Sequence, residues 1–369
     1  MGPLMSSLPS KVSRRDFLKY VSAGLGALAF RPFYQSEPAE TPKSGNIITP
    51  GTGKVVRVAT TNLSVYKEPW DESQILYQRY RNDLMNVYYE VNSEHGPGYN
   101  PKWYRVWGGY VHSAHLQVVE THLNDVDYSV NNTPLPGRLG EITVPFTQSR
   151  INRTGKKWED VFMLYYQSVY WVVGVINGPD GRPWYRIKDS TYDYDTLDYY
   201  VPAEHMRIIP WEEVSPITPE VPVEHKRIEV SLALQEMTAF EYDEPVLKLK
   251  ISTGVPSQKR EGVIPTSTPK GTYNIMNKIP SHHMGEGQMT ADLEAYEFPG
   301  TPWCCYFIPE TGVAFHGAYW HDNFGMTMSH GCVNMPCEKA KWLFRWAKPL
   351  ISGDMKRENI GFGTQVIVY

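Results

Sequence analysis

The sequence predicts a mainly β fold with one or two short helices, and three observations support this. Tyr outnumbers Phe 25 to 12, and 29 Pro and 29 Gly divide the chain into short segments. Aromatic and β-branched residues favour strands, whereas Pro and Gly favour the turns between them. Apolar and polar residues alternate in many of these segments, as they do in half-buried strands. The length of 369 residues corresponds to two or three domains.

The composition is that of a folded globular protein and excludes several classes. Hydrophobic residues make up 41% and charged residues 21% of the chain, which rules out a disordered, collagenous or polytopic membrane protein. The net charge of -4 is spread along the sequence, so no basic surface for nucleic acid or anionic lipid is expected. The 4 Cys are too few for a disulfide scaffold, and one of them is a candidate reactive thiol.

The N-terminus predicts an export signal. Arg14 and Arg15 lie in Ser-Arg-Arg-Asp-Phe-Leu-Lys, and residues 20–30 are mostly apolar. This segment resembles a twin-arginine signal, which directs folded proteins out of the cytoplasm. The apolar part is shorter than the roughly 20 residues that span a bilayer. We therefore predict a signal at residues 1–30 and a linker at 31–54, with membrane contact only through the signal if it is not cleaved.

A weak internal repeat organises the middle of the chain. Trp103–Val106 and Tyr110–Val119 recur in similar form as Trp184–Ile187 and Tyr200–Ile209. Such a repeat indicates two copies of one small fold. The copies resemble tandem bacterial SH3-like β-barrels, which often accompany cell-wall enzymes. The predicted modules are residues 55–120 and residues 137–210.

A Pro-rich linker is predicted at 211–223. It precedes residues 224–369, which we predict to be one further domain. Its predicted strands lie at 226–234, 245–251, 303–308, 312–316 and 364–369. Pro336 is placed to open a helix with one apolar face, which Pro349 stops. Adjacent Cys304 and Cys305 fall in a strand, so their side chains are expected on opposite faces as buried structural thiols.

The chemistry-bearing residues concentrate between His316 and Cys332. A cysteine close to imidazole groups supplies a thiol nucleophile and a base. Gly331 allows close approach of the backbone, and the amides of Gly331 and Cys332 are candidate donors to an oxyanion. The residues alone favour thiol catalysis, while a zinc site built from His and Cys and a purely structural cluster stay open as alternatives.

The segment from His316 to Met335, with Ser-His-Gly-Cys ending at Cys332, resembles the signature of the L,D-transpeptidase catalytic domain, also called YkuD. Ser252–Gly254 and Thr268–Gly271 resemble two further turns of that family. The resemblance covers about residues 225–369. It implies a β-sandwich-like catalytic domain preceded by the two SH3-like modules, with no metal and no cofactor.

The resemblance also implies roles for individual residues. Cys332 would be the nucleophile and His316 the base, with the imidazole oriented by the carbonyl of Gly317. The residues expected to shape the site are Ser329, His330 and Gly331. Those expected to bind substrate are Trp320, Met284, Tyr306 and Asn334, the last standing where the family often has Arg.

The implied activity is that of an exported L,D-transpeptidase of the cell envelope. Cys332 would attack the bond after the third residue, a diamino acid, of a peptidoglycan tetrapeptide stem and release D-Ala. A second stem would accept the acyl group to give a 3→3 cross-link or a related amide bond. Two alternatives are an L,D-carboxypeptidase that uses water as acceptor and a noncatalytic cell-wall-binding protein.

Overall fold

A computed structural model describes residues 53–152, 155, 157–190, 196–256, 266–285, 297–351 and 358–369. All of them belong to one compact unit that spans residues 48–369. The proposed export signal lies outside the described residues. Within the described ranges, no helix has the length and apolar character needed to cross a membrane.

The first region, up to Val119, forms two small sheets around one apolar core. Its strands are β1 (Val55–Val58), β2 (Asn62–Tyr66), β3 (Ile75–Tyr80), β4 (Leu84–Asn86), β5 (Tyr89–Asn92), β6 (Lys102–Val106), β7 (Gly109–His112) and β8 (Leu116–Val119). The strand orders are β4-β1-β8 and β3-β2-β7-β6-β5. Val56, Val65 and Val111 are fully buried in the shared core because alternate residues of each strand face inward.

The second region forms a single seven-stranded sheet. Its strands are β9 (Arg138–Ile142), β10 (Phe146–Ile151), β11 (Glu159–Tyr165), β12 (Val169–Asn177), β13 (Pro183–Ser190), β14 (Thr196–Pro202) and β15 (Met206–Ile208). The order is β11-β10-β14-β13-β12-β9-β15. Tyr170, Tyr185 and Tyr199 lie in its core, which explains part of the high tyrosine content.

The sequence repeat corresponds to a repeated local structure. In the first copy a 3₁₀ turn at Ser113–His115 joins β7 to β8, and in the second a turn at Ala203–His205 joins β14 to β15. The assignment of either copy as an SH3-like barrel stays a prediction. Further 3₁₀ turns lie at Tyr128–Asn132, Trp211–Glu213, Val223–His225 and Pro309–Thr311.

The third region is a sandwich of two five-stranded sheets with one helix. Its strands are β16 (Lys226–Ser231), β17 (Glu236–Glu241), β18 (Glu244–Lys250), β19 (Gly271–Asn274), β20 (Asn277–Gly285), β21 (Glu297–Ile308), β22 (Val313–Gly317), β23 (Val333–Met335), β24 (Asn359–Ile360) and β25 (Gln365–Val368). The orders are β18-β17-β16-β25-β19 and β23-β22-β21-β20-β24. The mainly β fold predicted from the sequence is confirmed.

The helix α1 (Cys337–Trp346) follows Pro336 as predicted. Ala340, Leu343 and Phe344 are buried. Leu343 and Phe344 lie three and four positions after Ala340, so the three side chains share one apolar face of the helix. Two buried lysines bind carbonyl groups at and just after its C-terminus, Lys226 Nζ at 2.9 Å from Trp346 O and Lys278 Nζ at 2.7 Å from Ala347 O. Cations are stabilised at this end by the helix dipole.

The largest apolar core joins the second and third regions. Val169 and Trp171 of β12 lie in the same buried cluster as Trp303 of β21 and Phe344 of α1. Val214, between the two regions, is also fully buried there. The two regions therefore depend on each other for the burial of apolar surface.

We predict that Trp171→Ala destabilises the third region as well as the second. Trp171 is 4% exposed in the shared core, so its truncation should lower the free energy of unfolding by about 3–5 kcal/mol. Thermal unfolding followed by tryptophan fluorescence and by the reactivity of buried thiols should show both regions melting earlier. The matched control is Trp107→Ala, because Trp107 is 70% exposed. A loss no larger than that of the control would contradict the shared core.

Candidate active site

The sheet that contains β20–β24 has two faces with different environments. Phe315, Val333 and Met335 point into the main core between the sheets. Strand pairing sets His316 opposite Asn334 in the parallel β22–β23 pair, and side chains on adjacent strands at paired positions share a face. Cys332 directly precedes β23. Its thiol lies close enough to Cys304 to influence the pKa of that group, and Cys304 packs with Ala314, two residues before His316 on β22. The site is therefore built on the side of the sheet that α1 does not cover.

A small apolar cluster forms the floor of this face. It consists of Ile279, Cys304, Tyr306 and Ala314, with Met284 packed against it. Cys305 belongs to the main core instead, so the two adjacent cysteines point to opposite faces, as expected from the sequence.

His316 is held as a neutral base. The residue is buried, and its Nδ1 lies 3.1 Å from the carbonyl oxygen of Gly317. Nδ1 must carry the proton to make this bond, which leaves a lone pair on Nε2. Burial lowers the pKa of His316 to about 4, although the Gly317 carbonyl acts in the opposite direction. The imidazole is therefore unprotonated at neutral pH.

Cys332 is held as a protonated thiol. Its Sγ lies 3.5 Å from the carbonyl oxygen of Gly312, which accepts the S–H proton. Desolvation raises the pKa of Cys332 to about 11, partly offset by a hydrogen bond from the backbone of Ala314. Since the pKa of His316 is far lower, the resting pair is neutral rather than a thiolate and an imidazolium.

The other three cysteines are more deeply buried. Among Cys304, Cys305, Cys332 and Cys337, Cys332 alone is partly exposed. Burial raises the pKa of Cys305 to about 12 and also raises the pKa values of Cys304 and Cys337 well above that of a free thiol. Cys337 lies behind the Gly317 backbone, where a Cβ on Gly317 would come within 3.0 Å of its Sγ. Cys332 is therefore the most accessible of the four sulfurs.

Ser329 shapes the loop that carries Cys332. Its hydroxyl donates to the Cys332 carbonyl at 2.5 Å and accepts from the Gly331 amide at 3.2 Å. Gly331 has φ +121°, a conformation that favours glycine. The Gly331 amide is thus already occupied, which differs from the expectation that both loop amides are free for an oxyanion. The Cys332 amide is the remaining candidate donor.

The two turns noted in the sequence, Ser252–Gly254 and Thr268–Gly271, are linked by hydrogen bonds to this loop. Thr268 Oγ1 donates to the Gly331 carbonyl at 2.8 Å and accepts from the Gly254 amide at 2.8 Å. A Cβ on Gly254 would lie 2.1 Å from Thr266 O and 2.9 Å from Gly331 Cα, so only glycine fits. His330, in the same loop, is exposed.

The four residues expected to bind substrate are distributed around the site. Trp320 stacks on Phe298 at 4.0 Å between ring centroids and faces the His316 ring at 5.7 Å. Tyr306 Oη lies 3.1 Å from His282 Nδ1. Met284 packs on the floor cluster described above.

Asn334 is buried rather than presented to solvent. Its Nδ2 lies 3.1 Å from His321 Nε2, and its backbone pairs with Ser252. Within the described residues its Oδ1 has no hydrogen-bond partner. The side chain is therefore directed at His321 and, being buried, is not presented to a substrate on the surface.

Sequence reasoning missed the contribution of the first region. The segment 318–325 joins His316 to the Cys332 loop, and three contacts hold it against that region. Arg57 Nη2 donates to Tyr319 O at 3.1 Å, Tyr99 Oη donates to Asn323 Oδ1 at 3.0 Å, and the Asp322 amide donates to Ala114 O at 3.1 Å. No periodicity marks such contacts, because they join residues more than 200 positions apart.

Comparisons with solved structures find similarity to L,D-transpeptidases. Solved structures similar to this chain include a cysteine-to-serine mutant of the Enterococcus faecium L,D-transpeptidase, at 25% identity over 40% of this chain and 50% of that chain, with a TM-score of 0.30. The catalytic domain of the E. faecium L,D-transpeptidase matches at 26% identity over 39% of this chain and 96% of that domain, with a TM-score of 0.28. L,D-transpeptidase 3 from Mycobacterium tuberculosis with a faropenem-derived adduct matches at 19% identity over 49% and 76% of the two chains, with a TM-score of 0.31.

The chain thus spans half the length of the enterococcal mutant structure. No curated protein sequence matches it significantly. The family model of the L,D-transpeptidase catalytic domain, YkuD, matches residues 225–368. This range contains the whole third region of the fold, including His316, Ser329 and Cys332. Residues 225–368 are therefore a YkuD-type L,D-transpeptidase catalytic domain.

Proposed function

We propose that this protein is an exported, cysteine-dependent L,D-transpeptidase that acts on peptidoglycan stem peptides. The observation that carries the proposal is the partly exposed Cys332 on the same sheet face as the neutral base His316, within the matched domain. Residues 1–30 would direct export to the cell envelope, and the repeats at 55–120 and 137–210 would be SH3-like modules.

The geometry supports a reaction in which the proton moves as the thiol attacks. Nε2 of His316 takes the Cys332 proton while Sγ bonds to the carbonyl carbon of the third stem residue. The Cys332 amide would donate to the developing oxyanion. The imidazolium then returns its proton to the amine of the departing D-Ala, which leaves a thioester on Cys332 and a neutral His316.

The second half of the reaction repeats these steps with a different nucleophile. The amine of a second stem attacks the thioester, His316 takes a proton from it, and the Cys332 sulfur leaves and is reprotonated. Atoms and charges balance without a metal ion or a redox step. The energy of the broken amide is retained in the thioester, so no nucleotide triphosphate is required outside the cytoplasm.

We predict that a tetrapeptide donor or a carbapenem adds one acyl mass to the peptide that contains Cys332. Cys332→Ser should abolish the adduct, and His316→Ala should slow its formation by about 10²–10⁴-fold because the base is lost. Intact-protein and peptide mass spectrometry measure both effects. Cys337→Ser is the matched control and should retain the adduct. An adduct on Cys337, or one that persists in Cys332→Ser, would overturn the assignment.

We predict a single acidic limb in the pH profile of acylation. The rate should fall as pH drops through about 4, the lowered pKa of His316, since a protonated imidazole cannot accept the thiol proton. Stopped-flow acylation with an uncharged probe measures the rate at each pH.

The same group makes stability depend on pH. As the pH falls, His316 binds a proton in the unfolded state first, near pH 6.5, so the free energy of unfolding also decreases between that pH and about 4. Circular dichroism at each pH must confirm that the protein stays folded. A limb centred near 6.5 would contradict the buried neutral base.

We predict that an added amine acceptor captures the acyl group in preference to water. Incubation with two defined stems, one a tetrapeptide donor and one an isotopically labelled acceptor, should give a joined product in which the label is linked to the third residue of the donor. Mass spectrometry of the products distinguishes this from trimming. Release of tripeptide alone at all acceptor concentrations would favour the carboxypeptidase alternative, and no turnover at all would favour a noncatalytic protein.

A further inference from the structure

A buried ionic group that the proposed reaction does not use links the second region to the third. His283 of β20 lies between Asp189 of β13 and Glu297 of β21. Its Nδ1 lies 2.6 Å from Asp189 Oδ2, and its Nε2 lies 2.6 Å from Glu297 Oε2. His283 is 1% and Asp189 6% exposed, so this group, which we call the clamp, is almost completely removed from water.

The clamp requires a protonated histidine. A carboxylate only accepts hydrogen bonds, and a neutral imidazole donates from one nitrogen only. His283 therefore binds both partners as an imidazolium. Burial acts to lower the pKa of His283, but the hydrogen bonds to Asp189 and Glu297 and the charges of both carboxylates outweigh burial and raise the pKa.

Tyr199 and His282 also lie beside the clamp. Tyr199 of β14 donates from Oη to Asp189 Oδ2 at 2.9 Å, and burial raises the pKa of this phenol, so it is uncharged. His282 precedes His283 in β20, and burial lowers its pKa to about 4, so it is neutral above that pH. The attraction within the clamp therefore comes from the imidazolium and its two carboxylates.

The clamp fixes the start of β21. Glu297 is the first residue of this strand. Two positions later, the Pro299 carbonyl accepts from Tyr170 Oη at 3.0 Å and from Tyr319 Oη at 2.9 Å. Tyr170 belongs to the buried core of the second region. Phe298 lies between these two bonded positions, so contacts with the second region set its place from both sides.

Phe298 carries this constraint to the candidate active site. Its ring stacks on Trp320, with 4.0 Å between centroids and 20° between the ring planes. Trp320 faces the His316 ring at 5.7 Å. His316 is 2% exposed whereas Trp320 is only partly buried, so the indole lies between the imidazole and solvent. Because burial is what lowers the pKa of His316, displacing Trp320 would hydrate the imidazole and raise its pKa.

The ionisable side chains nearest to His316 are uncharged in the same range of pH. Burial lowers the pKa of His282 to about 4 and that of His321 to about 3. The thiols of Cys304 and Cys332 are protonated, because burial raises their pKa values. Above about pH 5 none of these four side chains carries a charge, so hydration is the main variable that sets the protonation of His316.

We propose that the clamp of Asp189, His283 and Glu297 holds Trp320 over His316 and so keeps the catalytic base out of water. His283 is a positioning residue, because it acts through Phe298 and Trp320 rather than on the reacting atoms. The second region then contributes a charged side chain, Asp189, to the control of the base. The inference rests on the proposed function, in which His316 is the base, but the protonation of His316 can be measured without any turnover.

The test measures the pKa of His316 in the full chain and in two variants that open the clamp, His283→Gln and Glu297→Ala. Nuclear magnetic resonance of isotopically labelled histidine gives the titration directly, and the His316 signal is the one lost in His316→Gln. The acidic limb of Cys332 acylation by a carbapenem gives the same value kinetically. Both variants should move the pKa of His316 from about 4 toward about 6.5, the value of a hydrated imidazole.

The direction of the shift separates positioning from a simple effect of charge. Removing the Glu297 carboxylate makes the surroundings more positive, which by charge alone would lower the pKa of His316 further. Loss of the clamp raises it instead. Trp320→Ala should raise the pKa by itself, and adding Glu297→Ala to Trp320→Ala should have no further effect, because both changes act through the same indole.

His225→Gln is the matched control, because His225 is an exposed histidine of the third region that stacks on Tyr242. It should leave the titration of His316 and the acylation of Cys332 unchanged. Circular dichroism identifies a variant that does not fold. Glu297→Gln, which keeps the side-chain volume and weakens the bond to His283, then takes its place with the same expected direction.

The clamp is refuted if the pKa of His316 stays at about 4 or falls in the folded variants. It is also refuted if Glu297→Ala and Trp320→Ala shift the pKa additively. A shift of the expected direction in a protein whose Cys332 is not acylated would support the clamp and refute the proposed function. Normal acylation of Cys332 without any shift would refute the clamp alone.

Discussion

The parallel pairing of β22 with β23 is the constraint on which the rest of the active site depends. It fixes His316 opposite Asn334 and brings the Cys332 loop to the same face. The alternate residues of the same two strands fill the main core, so a slip of one position would turn His316 into that core and take Phe315 and Val333 out of it. Stability of the sandwich and placement of the catalytic pair therefore follow from one register.

The candidate site holds Cys332 as a neutral thiol and His316 as a neutral imidazole. Removing a thiolate and an imidazolium from water would cost much free energy, whereas burying a thiol and a neutral imidazole costs far less. Backbone carbonyl groups of Gly312 and Gly317 orient the two groups without adding charge. This arrangement differs from cysteine enzymes that hold a preformed ion pair, and it would place the proton transfer within the proposed attack itself.

The first two regions contribute to the catalytic region in different ways. The second shares an apolar core with it through Val169 and Trp171, which is a contribution to stability. The first makes polar contacts through Arg57 and Tyr99 to the segment that joins the base to the nucleophile. Such contacts fix a loop rather than a core, so the first region acts on the geometry of the site.

The sequence by itself determined the elements whose signals are local. Alternation predicted the strands at 226–234 and 245–251, although not β17 between them, and the opposite faces of Cys304 and Cys305. The position of Pro336 predicted the helix that begins at Cys337. The order of His316, Ser329 and Cys332 predicted a candidate catalytic segment because the proposed nucleophile, base and loop lie within 20 residues. Tertiary structure decided what long-range packing controls: the contacts of Arg57 and Tyr99 with the segment 318–325, and the packing of Trp171 in one core with Trp303. Periodicity and spacing report on neighbours along a strand or helix, whereas these contacts join separate regions whose approach is set by the shared core.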